Sequence, residues 1–189
     1  MKKIAIYGGT FDPVHHAHLI LAREALETLG LEKVILVPAA ISPLKKAAPA
    51  ASGDMRLKML QAAIEGEGGF VIDDCELLRP PPSWTIDTVL EIQRCETDSE
   101  IYLLIGEDNV ATLNHWRRFE ELKQMVRFVV LDRTGSQMQR NYQVVRRKID
   151  ISATDIRKRV ARGQSIRYLV PLAVEEIIQR QKLYREQSK

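Results

Sequence analysis

The sequence predicts an α/β fold: a doubly wound, mainly parallel sheet with helices on both faces and a small helical part at the C-terminus. Three observations lead there. Short β-branched apolar runs at residues 3–7, 33–37, 101–105 and 127–131 each stop at Gly, Pro or Asp. Apolar positions at helical spacing lie between them, and strand alternating with helix argues for right-handed βαβ units. With 189 residues and 45% hydrophobic content, the chain can bury one substantial core. We therefore expect residues 1–189 to form a single domain, with about 150–189 as its C-terminal helical subregion.

The first strand, residues 3–7, runs into GGTFDPVHHAH. A helical stripe follows at Leu19, Ala22, Leu26 and Leu29, closed by Gly30. The second strand stops at Pro38. The small-residue stretch AAPAASG, residues 47–53, reads as a surface loop beside a substrate site. Met55, Met59, Ala62 and Ala63 mark a second helix, with both methionines assigned to core. RPPPSW, residues 79–84, is an extended connector because consecutive prolines disfavour helix. Ile86, Val89 and Leu90 mark a third helix, and the strand at 101–105 ends in GEDN. In a doubly wound sheet the ligand crevice lies at the carboxyl ends of the strands. GGTFDP, residues 42–46 and GEDN therefore share one rim.

Charge narrows the partners. Lys and Arg total 28 against 25 acidic residues, a net +3, and the charges are dispersed apart from clusters at 146–148 and 157–159. That suits an anionic small molecule, and without aromatic ladders it does not favour nucleic acid. Cys75 and Cys95 match no metal-ligand spacing, so a reducing, cytoplasmic compartment is expected. The N-terminal apolar run is too short for a signal peptide, and no run approaches the roughly 20 residues that span a bilayer. Neither nucleic acid nor membrane is an expected partner.

The opening motif holds three of the four histidines. Gly8 and Gly9 let the backbone turn and pass close to a ligand. Thr10 offers a hydroxyl and an amide, Asp12-Pro13 resembles a helix start although the helix proper could begin anywhere up to His18, and a helix N-terminus attracts phosphate. In a helical turn His15 and His18 would point to one side and His16 elsewhere. An H-x-x-H metal pair is the weaker reading, since only Asp12 is near enough to join it. No Walker or dinucleotide fingerprint is present.

GGTFDPVHHAH resembles the G-G-[TS]-F-D-P-x-H-x-G-H signature of the H-x-G-H nucleotidyltransferase superfamily. ISATDIRKR, at residues 151–159, resembles its I-S-[ST]-T-x-I-R motif. Within that superfamily the chain is most similar to the bacterial nicotinate-nucleotide adenylyltransferases. SPLKK, MRLKML, SWTIDT, IGEDN and IRYLVPLAVEEII carry the likeness from Lys3 to Tyr184. Ala17 stands where the family has glycine.

The resemblance implies a Rossmann-like nucleotidyltransferase fold. It also implies adenylyl transfer from ATP to nicotinate mononucleotide by direct in-line attack, without a covalent intermediate. It assigns His15, His18, Lys45 and Arg157 to the reacting phosphates, and Gly8, Gly9, Thr10, Phe11, Asp108, Ser152 and Thr154 to ATP. Trp84, Thr85 and Trp116 are assigned to the mononucleotide, with Trp116 on the pyridine ring. Mg²⁺ is expected to travel with ATP and pyrophosphate, with no metal ligands from the protein. A homo-oligomer is allowed. Core packing for Trp116, a helix cap for Asp108 and a solvated face for the basic residues are the plainer readings. Transfer to nicotinamide mononucleotide or phosphopantetheine, or a non-catalytic nucleotide-binding module, are the alternatives.

Overall fold

The computed structural model describes residues 1–41, 47–135 and 141–185. The first strand, β1 (Lys2–Gly9), leads into α1 (His16–Thr28), then β2 (Lys33–Pro38), α2 (Gly53–Ala63) and β3 (Phe70–Ile72). A one-turn α3 (Cys75–Leu78) and α4 (Thr85–Cys95) return the chain to β4 (Ser99–Gly106). A 3-10 segment (Glu107–His115) and α5 (Phe119–Met125) precede β5 (Arg127–Asp132) and β6 (Gln143–Arg146). The helices α6 (Ala153–Ala161) and α7 (Leu172–Arg180) close the described chain.

Six strands form one sheet in the order β3-β2-β1-β4-β5-β6, every pair parallel. A parallel sheet covered on both faces needs strands that are apolar on both sides, and β1 supplies this directly. Ala5 and Tyr7 enter the cluster built with α1, α2 and α7, and Ile4 and Ile6 the opposite cluster built with α4 and α5. Strand order reverses between β1 and β4, so connections leave in opposite directions and a crevice opens at their carboxyl ends.

All four expected strands are present. The two edge strands went unread because β3 has three residues and β6 four, too short for a periodic signal. The helix begins within the range from Asp12 to His18, three residues past Pro13: α1 starts at His16, with His15 as its N-cap residue. Ala17 is fully buried, its methyl accommodated in the core. Met59 is fully buried and Met55 packs against the same cluster. From the C-terminal part, Ile156, Val174 and Ile178 join the cluster that holds α1 and α2. No helix among the described residues is long and apolar enough to cross a membrane.

Candidate active site

The crevice has a phosphate-facing side at the end of β1. There the chain turns through Phe11, whose φ of 47° places it in the left-handed region. The turn tucks the Phe11 ring beneath Gly9, where an added Cβ would lie 2.8 Å from the ring, whereas Gly8 has open space. Glycine is therefore required at 9 by packing, while at 8 it leaves room.

His15 and His18 sit directly behind this turn. Their rings stack, centroids 3.7 Å apart and 21° from parallel. The His15 backbone N–H donates to His18 Nδ1 at 3.2 Å, so a neutral His18 carries its proton on Nε2, where it can donate outward. Phe11 meets His18 edge-on at 5.0 Å and fixes the ring from the other side. His15 is only 1% exposed. Burial, aided by the charges of Arg133 and His16, lowers its pKa to about 3, so it is neutral at physiological pH. Its Nδ1 is buried without a hydrogen-bond partner. The middle histidine, His16, is half-buried, and its backbone N–H donates to the Leu169 carbonyl.

A second layer ties this turn to distant segments. The buried Asp12 carboxylate accepts from the Ala50 N–H at 2.6 Å, the Ala51 N–H at 3.2 Å and the Tyr184 hydroxyl at 2.7 Å. Its carbonyl accepts from Arg157 Nη1 at 2.6 Å. Arg56, 2% exposed, donates to the carbonyls of Thr10 (2.8 Å), Ala39 (2.7 Å), Ala40 (3.5 Å) and Ala51 (3.3 Å). A buried guanidinium is tolerable only when its donors are satisfied. Here they are satisfied by backbone from three segments, which fixes those segments against one another. Sequence reasoning missed Asp12, Arg56 and Tyr184 in this role. Arg56 lies on a helix where a charge usually faces water, and its partners are carbonyls that leave no side-chain pattern.

Arg157 also donates to Thr154 Oγ1 at 3.4 Å, and Ser152 caps α6 by accepting the Asp155 N–H at 3.1 Å. The N-terminus of α6 is thus brought to the turn that follows β1, uniting Ser152, Thr154 and Arg157 with Phe11 and His15. Lys45 lies outside the described residues.

The other side of the crevice is a cavity of about 190 Å³ between the ends of β1 and β4. Gly8, Gly9 and Thr10 line it together with Trp84, Thr85, Asp108 and Trp116. Trp84 is the N-cap residue of α4, with Thr85 first in the helix. Trp116 ends the 3-10 segment and packs against the core while also lining the cavity, so the core and ligand-facing expectations both describe it. Its Nε1 is buried without a partner. Asp108 lies within the 3-10 segment and accepts from Asn109 Nδ2 at 3.3 Å. A Cβ at Gly106 would overlap the Asp108 carboxylate, so glycine there lets the acid fold back over the strand end.

Glu76, Thr88 and Arg117 add polar groups to the cavity wall that the sequence does not single out. The buried Glu76 accepts from the Thr88 hydroxyl at 2.6 Å, and Thr88 accepts from Arg79, itself paired with Glu91 at 3.0 Å. Both Glu76 and Thr88 line the cavity. At the exposed end, the Arg117 guanidinium lies over the Trp84 ring, 5.3 Å from its centre.

A family model described as cytidylyltransferase-like matches residues 6–159. A protein of Shouchella clausii named "Probable nicotinate-nucleotide adenylyltransferase" is 42% identical over 97% of this chain and 97% of its own length. One of the same name from Geobacillus thermodenitrificans is 41% identical over 97% of this chain and 87% of its own. Among solved structures, the Plasmodium falciparum nicotinic acid mononucleotide adenylyltransferase complexed with NaAD superposes with a TM-score of 0.81. It covers 97% of this chain and 98% of its own at 18% identity, a likeness of fold.

Proposed function

This chain belongs to the nicotinate-nucleotide adenylyltransferases of the cytidylyltransferase-like family, and on that premise we propose that it joins ATP and nicotinate mononucleotide into nicotinate adenine dinucleotide, releasing pyrophosphate. The observation that carries the reading is the meeting of two unlike half-sites at Gly8, Gly9 and Thr10. Behind these residues stands the stacked histidine pair, and beside them the aromatic cavity.

In this reading a phosphate oxygen of the mononucleotide attacks the α-phosphorus of ATP. The new P–O bond forms as the bond to the β-phosphate bridging oxygen breaks, and the electron pair leaves with pyrophosphate. No side chain of the protein is covalently modified. Catalysis is then positioning and charge stabilisation. His18 donates from Nε2 to the α-phosphate as charge builds. His15, held neutral, packs under His18 and supplies the backbone N–H that sets the His18 tautomer. Thr10, the Phe11 amide, Arg157 and the α6 N-terminus with Ser152 and Thr154 receive the other phosphate oxygens, and Lys45 joins them. Asp108 takes the adenosine ribose. Trp84 and Thr85 hold the mononucleotide, with Trp116 on its pyridine.

Mg²⁺ fits this arrangement as a passenger on the ATP phosphates. The carboxylate within the turn, Asp12, is engaged by Ala50, Ala51 and Tyr184. The groups offered to phosphate are otherwise amides and cations, so the metal would be held by phosphate oxygens and water, neutralising charge there. A cytoplasmic location belongs to the same reading.

The test is pyrophosphate release from purified protein and ATP. Nicotinate mononucleotide, its amide and phosphopantetheine are compared side by side. The acid nucleotide should be turned over best. Phosphopantetheine as the preferred acceptor, or no release with either pyridine nucleotide, would defeat the reading.

A further inference from the structure

The charges around the cavity are unevenly arranged. Among the described residues lining it, Arg117 is the one lysine or arginine, and Glu76 and Asp108 are the carboxylates. Glu76 is 7% exposed, on the inner wall, and one of its oxygens accepts the Thr88 hydroxyl. Arg117 is at the exposed end, stacked on Trp84 one residue from Thr85, and no carboxylate among the described residues pairs with it. Stacking holds a guanidinium in place while leaving its edge donors for a ligand.

We propose that Arg117 is the residue by which this chain selects the acid over the amide form of its pyridine nucleotide; this rests on the reading of the cavity given above. The two ligands differ in one group. Both carry a positively charged ring nitrogen, because that nitrogen is bonded to the ribose, but only nicotinate adds a carboxylate. The buried Glu76 carboxylate and the exposed Arg117 guanidinium offer one partner to each end of a ring that is cationic at one end and anionic at the other. The second lining carboxylate, Asp108, is exposed and held by Asn109 at the end of β4. Glu76 favours the ring cation, which both ligands share, and so contributes affinity without discrimination. Arg117 meets the carboxylate, which only the acid has, and a planar fork suits that group.

The experiment uses full-length protein and three variants. Arg117→Met keeps the length and apolar contact on Trp84 but removes the charge, Arg117→Lys keeps charge without the fork, and Glu76→Gln removes the inner charge. Binding of nicotinate mononucleotide and nicotinamide mononucleotide is measured by calorimetry, and kcat/KM for each with ATP saturating. A charged hydrogen bond is worth roughly 10- to 100-fold. Arg117→Met should lower the acid's affinity and kcat/KM by about that factor while the amide's stay within about threefold. Arg117→Lys should recover part of the loss, and Glu76→Gln should weaken both ligands alike. A folded Arg117→Met protein with an unchanged acid-to-amide ratio would overturn the proposal, as would equal loss for both ligands or a ratio that moves only in Glu76→Gln. Wild-type protein that binds neither pyridine nucleotide would instead overturn the reading of the cavity, and this inference with it.

Discussion

The two halves of the crevice are built on opposite principles. The phosphate half is largely buried and braced by hydrogen bonds to backbone. Asp12 and Arg56 between them engage the backbone of Thr10, Ala39, Ala40, Ala50 and Ala51, and His15 is 1% exposed. On the pyridine half the groups assigned to the ligand, Trp84, Thr85, Trp116 and Arg117, sit at element ends, half-buried or exposed, and Trp84, Trp116 and Arg117 are held mainly by packing and ring contacts. The difference follows from what each must do. Stabilising charge as it develops requires donors already fixed in place, because any reorganisation at that moment adds to the barrier. Telling one flat ring from another requires only that the right groups line the wall, so loops and helix ends suffice.

If this contrast is right, damage to the phosphate half should appear in turnover and stability, and damage to the pyridine half in KM. The largest effect is expected for His18→Ala, which removes a donor acting in the transition state. Turnover should fall by about 10² to 10³ with little change in KM for ATP, measured by steady-state kinetics. Near-normal turnover would show that the stacked pair is structural. Arg56→Leu should come next, since it removes the donor to four carbonyls, two of them on buried residues. Chemical denaturation should report a loss of about 2–4 kcal/mol together with reduced turnover of the protein that remains folded.

The third expectation concerns pH. His15 binds a proton with an ordinary pKa of 6.5 when unfolded but only at about 3 when folded. Between those values the unfolded chain holds more protons, so stability rises with pH. The contribution is intact above about 6.5 and is lost as pH falls towards 3, at up to ~1.4 kcal/mol per unit. Melting of the wild type and of His15→Gln from pH 7 to 5 should show the shallower slope in the variant, and parallel slopes would remove His15 as the cause. On the other side of the crevice, Trp116→Ala should raise KM for the mononucleotide about tenfold with turnover nearly kept, as loss of a stacking surface predicts. A protein that instead unfolds would make Trp116 a core residue. The smallest effect is expected for Tyr184→Phe, about 1 kcal/mol of stability and a few-fold in turnover.

The same contrast explains what could be read in the sequence. The four central strands are legible because burial on both faces makes them continuous apolar runs. The stretch GGTFDPVHHAH is legible because its glycines and histidines are chemically unusual for a strand end. The brace is not legible, because Arg56 donates to carbonyls 5 to 46 residues away, and any residue carries a carbonyl. Arg117 and Glu76 were missed for a different reason. Each is an ordinary charged residue until the fold brings the two to one cavity.

The hydroxyl of Tyr184 reaches Asp12 across 172 residues of chain. The order of the segment after α7 and the order of the turn after β1 are therefore coupled through one buried carboxylate. Whatever loosens the backbone around Tyr184 withdraws a donor from Asp12, and with it part of the hold on the loop at Ala50 and Ala51.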